Sequence, residues 1–263
     1  MSSNQRRFER RESKRQSRIS KRQKYINQAT YSGINENVYE FPNPKREDKF
    51  RLVKPKNDQQ KRALNAIDNH SFTAILGTVG SGKTFLAAAK AMEMLLDPSS
   101  PIERIILIRP NIPLGPDIGA LPGGIYDKLK PYLIPILDGL EYVAGEKTVK
   151  NLIEAGKIEF LPVMFLRGRT WNNSFIIIDE VNNMEERAIA VSMLRKGLDT
   201  KVVYCGDVNQ IDLKVPSGIN LILKLVHNDP SKCPIRLCEL VHVVRSNESA
   251  YFYDKFSELG IQY

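Results

Sequence analysis

One stretch constrains the fold more than any other. Gly77-Thr78-Val79-Gly80-Ser81-Gly82-Lys83-Thr84 fits G-x-x-x-x-G-K-[ST], the phosphate-binding P-loop pattern. Before it, Ser71-Phe72-Thr73-Ala74-Ile75-Leu76 is a short apolar run that reads as a buried strand. After it, residues 85–96 are dominated by Ala, Leu and Met, all good helix formers. Strand, glycine loop and helix in that order are the context the motif needs. The glycines let backbone N–H groups curl around a phosphate chain, and the helix N-terminus adds partial positive charge. Gly77, Thr78, Val79, Gly80, Ser81 and Gly82 would therefore cradle the phosphates of ATP. Lys83 would reach the β- and γ-phosphates, and the Thr84 hydroxyl would ligate Mg²⁺.

A second signal lies about a hundred residues on. Phe175-Ile176-Ile177-Ile178 reads as a strand buried on both faces, with Asp179 and Glu180 at its C-terminal end. Open parallel sheets place their ligands at that end. Asp179 is expected to help hold Mg²⁺, and Glu180 to polarise an attacking water. Further strands are expected over residues 104–109, 157–162, 201–207 and 235–240. Helices are expected over 56–70 (capped by Asn57 or Asp58), 125–140, 145–155, 185–197, 217–227 and 246–258. Pro131 and Pro135 are expected to break the helix at 125–140, and Gly197 to end the one at 185–197. This alternation predicts an α/β fold, a doubly wound, mainly parallel sheet with helices on both faces.

Polar residues at the expected strand ends are candidate site residues. Residues 111–124 hold four glycines and three prolines directly after a strand, the composition of a functional loop. Arg167-Gly168-Arg169-Thr170 is a basic tight turn. Gln210 follows the strand at 201–207 and is placed to hydrogen-bond a γ-phosphate or its attacking water. Gln60, one helix before the P-loop, could bond an adenine edge, although a solvated glutamine on a helix is the commoner case.

Charge divides the chain. Residues 1–24 carry ten Lys/Arg against two Glu, a net +8 of the total +9, so the other 239 residues carry only +1. That tail has no aliphatic periodicity and is expected to be disordered. It reads as an arm neutralising the phosphates of RNA or single-stranded DNA, with a solubilising tail as the alternative. Residues 25–55 mix aromatics and prolines as a lead-in, and 56–263 are expected to form the P-loop domain. No apolar run approaches ~18 residues, so no membrane span is expected. The N-terminus lacks the apolar core of a secretory signal, and Glu9 and Glu12 count against a transit peptide. Cys205, Cys233 and Cys238 are odd in number and unframed, which suits a reducing cytoplasm. Cys233, Cys238, His227 and His242 lie close in sequence, but their spacing matches no common zinc site, so buried thiols are expected.

Several stretches occur in the order seen in PhoH-like proteins. They are the P-loop at 77–84, Arg109-Pro110, Leu121-Pro122-Gly123, residues 130–135 (Lys-Pro-Tyr-Leu-Ile-Pro), Arg167-Gly168-Arg169-Thr170, Asp179-Glu180, residues 206–213 and Val244-Arg245. Over about residues 56–250 the chain resembles that family of P-loop ATPases from bacteria and their phages. The resemblance implies a RecA-like sheet similar to the first domain of superfamily 1 helicases. It also implies that Gln60 is the adenine-side glutamine, Gln210 the γ-phosphate-sensing glutamine, and Arg245 a basic residue brought near the γ-phosphate in cis or from a neighbouring subunit. Two positions depart from the family's pattern: Asn182 stands where glutamine is usual, and His242 where an acid is usual. Both bear on coupling between nucleotide and partner, not on P-loop chemistry.

A helicase that works as a monomer closes two such domains around ATP, and this length holds one. A motor built from it would need a homo-oligomer, a ring for example, with an arginine donated in trans; Arg167, Arg169 and Arg245 are the candidates. Two functions are therefore expected to compete. One is an ATPase remodelling RNA or single-stranded DNA. The other is a nucleotide-dependent binding switch with negligible hydrolysis. Glu180 beside Asp179 favours the first, because a switch has no use for a water-positioning acid. No acceptor pocket supports a kinase.

Overall fold

The computed structural model describes residues 50–110, 125–211 and 213–244, together with positions 251, 252, 255, 258 and 259. The tail at 1–24, most of the lead-in, the loop at 111–124, Asp212, Arg245 and most of the C-terminal helix lie outside the described residues. Of the lead-in, Arg51 and Val53 are tied down, the first donating to the Val143 carbonyl (3.2 Å) and the second to Glu93 Oε1 (2.5 Å).

Helix α1 spans Asp58–Asn69 and strand β1 Phe72–Gly77; α2 spans Lys83–Leu96 and β2 Arg104–Ile108. Helices α3 (Ile125–Ala144) and α4 (Glu146–Glu154) precede β3 (Ile158–Leu161) and β4 (Ser174–Ile178). Helix α5 (Glu186–Leu194), β5 (Lys201–Gly206), α6 (Gly218–Asn228) and β6 (Ile235–Leu240) complete the order. The six strands form one sheet in the order β3-β2-β4-β5-β1-β6. Every neighbouring pair is parallel. The acid-bearing strand β4 is thus separated from the P-loop strand β1 by β5 alone.

The apolar strands are buried on both sides because alternate residues face opposite layers. Ile75, Ile105, Leu107, Phe175, Ile177 and Val203 pack with residues of α1, α2, α3 and α4. Ala74, Leu76, Ile106, Ile108, Ile176, Ile178 and Tyr204 pack with Ile189 of α5 and Ile219 and Ile222 of α6. Helix α1 begins at Asn57, whose side chain accepts from Gln60 N, with Asp58 in the first turn. Its last carbonyls are satisfied from the sheet: Lys201 Nζ donates to Ile67, Asp68 and His70 (2.6, 2.9 and 3.1 Å).

Two expectations are corrected. Pro131 and Pro135 do not break the third helix, which runs unbroken from Ile125 to Ala144. Interior proline costs about 3 kcal/mol, but Leu133, Ile136, Leu137, Leu140 and Val143 are all buried on this helix, and burying one such side chain contributes roughly 1.5–3 kcal/mol. Packing therefore outweighs propensity. Close approach helps: a Cβ on Gly139 would lie 2.6 Å from the Phe85 carbonyl oxygen and 2.8 Å from Ala88 Cβ, so the alanine-rich face of α2 and this glycine fit together. The second correction is that α5 stops at Leu194, before Gly197. There the backbone leaves the helix to pair with Trp171, which donates to the Arg195 carbonyl (3.1 Å) and accepts from Gly197 N (2.8 Å).

Candidate nucleotide-binding site

The P-loop joins β1 to α2 at the C-terminal edge of the sheet. Gly82 caps α2 at φ 89°, a left-handed conformation that glycine enters without a Cβ clash. The loop is stapled from outside: Thr78 N donates to Leu240 O (3.1 Å), Thr78 Oγ1 to Val241 O (3.2 Å) and Val244 N to Gly80 O (3.0 Å). From beneath, Gln60 is 3% exposed. It donates through Nε2 to Ser81 O (2.9 Å) and accepts at Oε1 from Lys56 N (2.8 Å). Gln59 accepts from Val241 and His242 N–H, holding the end of β6 against α1.

Lys83 is folded onto its own loop, with Nζ donating to Gly77 O (2.9 Å) and Thr78 O (2.7 Å). Burial pushes its ammonium below the ordinary value, against the attraction of Asp207, Cys205 and Asp179. Thr84 Oγ1 donates to Asp179 Oδ1 at 2.7 Å. The hydroxyl and carboxylate expected to share a cation therefore meet across the width of β5. Asp179 is 4% exposed. Burial pushes its carboxyl above the ordinary range, opposed by the Thr84 hydrogen bond and by Arg109. Two adjacent hard oxygens, one of them carboxylate, are a donor set that fits Mg²⁺.

Glu180 follows in the left-handed region, at φ 54° and ψ 45°. For a residue with a long side chain this costs of order 1–3 kcal/mol, and it turns the chain sharply into the 3₁₀ turn Val181–Asn183. Its carboxylate pairs with Arg109: Nη2 of the guanidinium donates to Oε1. The same guanidinium places Nε 3.8 Å from Asp179 Oδ2.

Gln210 lies in the loop after β5, the strand between those leading to the P-loop and to the acids. Asn182, 3% exposed, clamps this loop. Its Nδ2 donates to Gln210 O (2.6 Å), its Oδ1 accepts from Asp207 N (3.2 Å), and its carbonyl accepts from Ser217 Oγ (2.7 Å). Arg169 is at the β3 edge of the sheet. It pairs with Glu159 of β3, four strands from β1 in the sheet order, roughly 19 Å at about 4.8 Å per strand.

The structure thus brings the P-loop, Thr84, Asp179, Glu180 and the Gln210 loop together, and pairs Arg169 with Glu159 away from the P-loop strand. Two contributors carried no assigned role in the sequence. Arg109 ends an apolar strand run just before Pro110, which is where ligands gather. Asn182 looked like a departure and is a clamp.

A glycine loop at a strand–helix junction, a paired threonine and aspartate, and an all-parallel sheet define a P-loop nucleotide-binding protein of the α/β class. Residues 52–257 match the family described as PhoH-like protein. The chain belongs to that family. It is 40% identical to a PhoH-like protein of Mycobacterium tuberculosis H37Rv over 80% of this chain and 60% of that one. It is 34% identical to Protein PhoH of Escherichia coli K12 over 72% of this chain and 52% of that one. It therefore spans just over half of these relatives' lengths. Among solved structures it is similar to the large terminase from a thermophilic bacteriophage, at 13% identity and a TM-score of 0.48, over 77% of this chain and 50% of that one.

Proposed function

We propose that the chain binds ATP with Mg²⁺, hydrolyses it, and couples turnover to binding or remodelling RNA or single-stranded DNA as an oligomer in the cytoplasm of a bacterium or phage-infected host. The observation that carries this reading is the Thr84–Asp179 contact with Glu180 next in the chain. Lys83 exchanges two neutral carbonyls for phosphate oxygens, so that its charge faces an opposite charge and not only dipoles. Thr84 and Asp179 would hold Mg²⁺, which would offset phosphate charge. Glu180 accepts a proton from the attacking water, and Gln210 senses the γ-phosphate. Gln60 would read the adenine once nucleotide binding uncovers the amide now buried against Ser81 O and Lys56 N.

The basic tail supports the nucleic-acid arm of the reading. Among the described residues no helix is long and apolar enough to cross a membrane. A second reading, a nucleotide-dependent switch with negligible hydrolysis, is favoured by one contact: Glu180 is already paired with Arg109.

Steady-state ATP hydrolysis by the full chain, with and without single-stranded RNA and over a series of protein concentrations, separates the two. Specific activity rising with concentration and again with RNA is the expected outcome, with Arg167, Arg169 or Arg245 completing a neighbour's site. Tight ATP binding with no turnover would establish the switch. Deleting residues 1–24 should weaken nucleic-acid binding with little change in basal hydrolysis; unchanged binding at low and moderate salt would remove the arm from the account.

A further inference from the structure

The Arg109–Glu180 pair occupies the carboxylate that hydrolysis requires. We infer that Arg109 is a positioning residue that restrains Glu180 until a phosphate oxyanion replaces the carboxylate as the guanidinium's partner. The inference rests on the ATPase reading above.

Sheet register puts the two side by side. Strands β2 and β4 pair in parallel with Ile108 opposite Ile178, and Asp179 N donates to Ile108 O (2.8 Å). Arg109 and Asp179 are therefore the first residues beyond the paired ends, with Glu180 one step further. The guanidinium touches both acids, through Nη2 to Glu180 Oε1 and through Nε at 3.8 Å from Asp179 Oδ2. It thus opposes both functions of the acidic pair. It holds the carboxylate expected to take a proton from water, and it sets a positive charge beside the carboxylate expected to hold Mg²⁺.

Stability does not account for the pair. The side chains of Arg109 and Glu180 are 21% and 35% exposed, so water reaches the pair and screens it, leaving it worth little more than the ~1 kcal/mol of a surface pair. Yet Glu180 sits in a left-handed backbone conformation that disfavours it. A contact so weak opens readily. The guanidinium fork accepts carboxylate and phosphate oxygens alike, so an arriving oxyanion can take the place of Glu180. The oxyanion is the γ-phosphate of ATP or a backbone phosphate of a nucleic-acid strand lying at the strand ends.

The test compares the full-length wild type with Arg109→Gln and Arg109→Lys. Two readouts are used: turnover with and without a single-stranded oligonucleotide, and the Mg²⁺-dependent affinity for ADP. Arg109→Gln is expected to raise basal turnover and to tighten Mg²⁺–ADP binding, each by about three- to tenfold, as loss of one partly screened charge near Asp179 allows. Adding Glu180→Gln to that variant abolishes the gain. If nucleic acid supplies the oxyanion, the oligonucleotide stimulates the wild type and no longer stimulates Arg109→Gln. If ATP supplies it, the gain is the same with and without oligonucleotide. Arg109→Lys, which keeps the charge and loses the fork, shifts in the same direction by less, and it carries the test should Arg109→Gln be insoluble. Lower turnover in Arg109→Gln with unchanged Mg²⁺–ADP affinity overturns the inference, because Arg109 would then serve the reaction directly. A wild type with no turnover anywhere removes the ATPase reading instead. Affinity then decides the remainder: tighter Mg²⁺–ADP binding in Arg109→Gln keeps the restraint on the Mg²⁺ side, and equal affinity overturns it.

Discussion

The two charged halves of the site are held in opposite ways. Lys83 is satisfied by carbonyls of its own loop, five and six residues away in sequence. Glu180 is satisfied by a full charge just past the end of another strand, 71 residues away. The lysine is therefore satisfied within its own loop, while the loop as a whole is stapled to the end of β6 and to Gln60. The acidic half is assembled by register: Arg109 from β2, Asn182 from the turn after β4 and the Gln210 loop from β5 all meet there. Whatever shifts β2 or β5 also shifts the acid, whereas the contacts of Lys83 move with its own loop.

The largest expected effects separate the halves directly. Lys83→Ala should abolish turnover and weaken ATP binding. Glu180→Gln should lower turnover by about 10²–10³-fold, the usual loss for one group acting in the transition state, while ATP stays trapped. Nucleotide retention measured on both variants checks this. Full activity in either variant would overturn the site assignment, and equal retention would erase the distinction.

Gly206→Ala comes next. Its Cβ would lie 2.6 Å from Val181 Cγ2 and 3.2 Å from Asn182 Oδ1. Overpacking of this kind costs about 1–3 kcal/mol, a fall in thermal midpoint of roughly 2–4 °C per kcal/mol at this size. Nucleotide affinity should move little, because the P-loop is untouched. A variant with unchanged melting would show that the acidic half is looser than its contacts imply.

Asn182→Ala removes two hydrogen bonds and leaves the Asp207 N–H without that partner, for about 1–3 kcal/mol. If the clamp positions Gln210, kcat should fall more than KM rises. A rise in KM alone would place Asn182 in nucleotide binding instead.

The smallest effect tests the burial of Asp179. Because its folded value lies above the ordinary 3.8, the folded state binds the proton more tightly than the unfolded chain does. The stability that follows is fully present below the unfolded value and is lost as pH rises through the higher folded value. Asp179→Asn mimics the protonated form. At neutral pH the ligand-free variant should be more stable than the wild type by on the order of 1 kcal/mol, as functional sites often are when relieved. That gain should shrink as pH is lowered through the folded value toward and below 3.8. A gain independent of pH would assign the effect to something other than ionisation.

Much of this was legible in the chain itself. The P-loop, the buried strands and the Asp179–Glu180 pair are written in adjacent residues, so periodicity and motif spacing recover them. The unbroken α3 was not legible, since the rule that proline stops a helix is local while the packing of Leu133 to Val143 is not. Asn182 read as a departure because its partners, Asp207 and Gln210, lie 25 and 28 residues on. Arg109 stood in a quoted motif without a role, because its role exists only when β2 lies beside β4.

By itself, the sequence determined the P-loop, the strand-and-helix alternation and the placing of acids at a strand end. Each follows from covalent neighbours and from the two- or 3.6-residue period of the backbone. Only the tertiary structure decided which strands are adjacent. That adjacency determines that Thr84 meets Asp179 across β5 and that Arg109 reaches Glu180. Hydrogen-bonded register between distant segments makes those contacts, and no spacing along the chain encodes it.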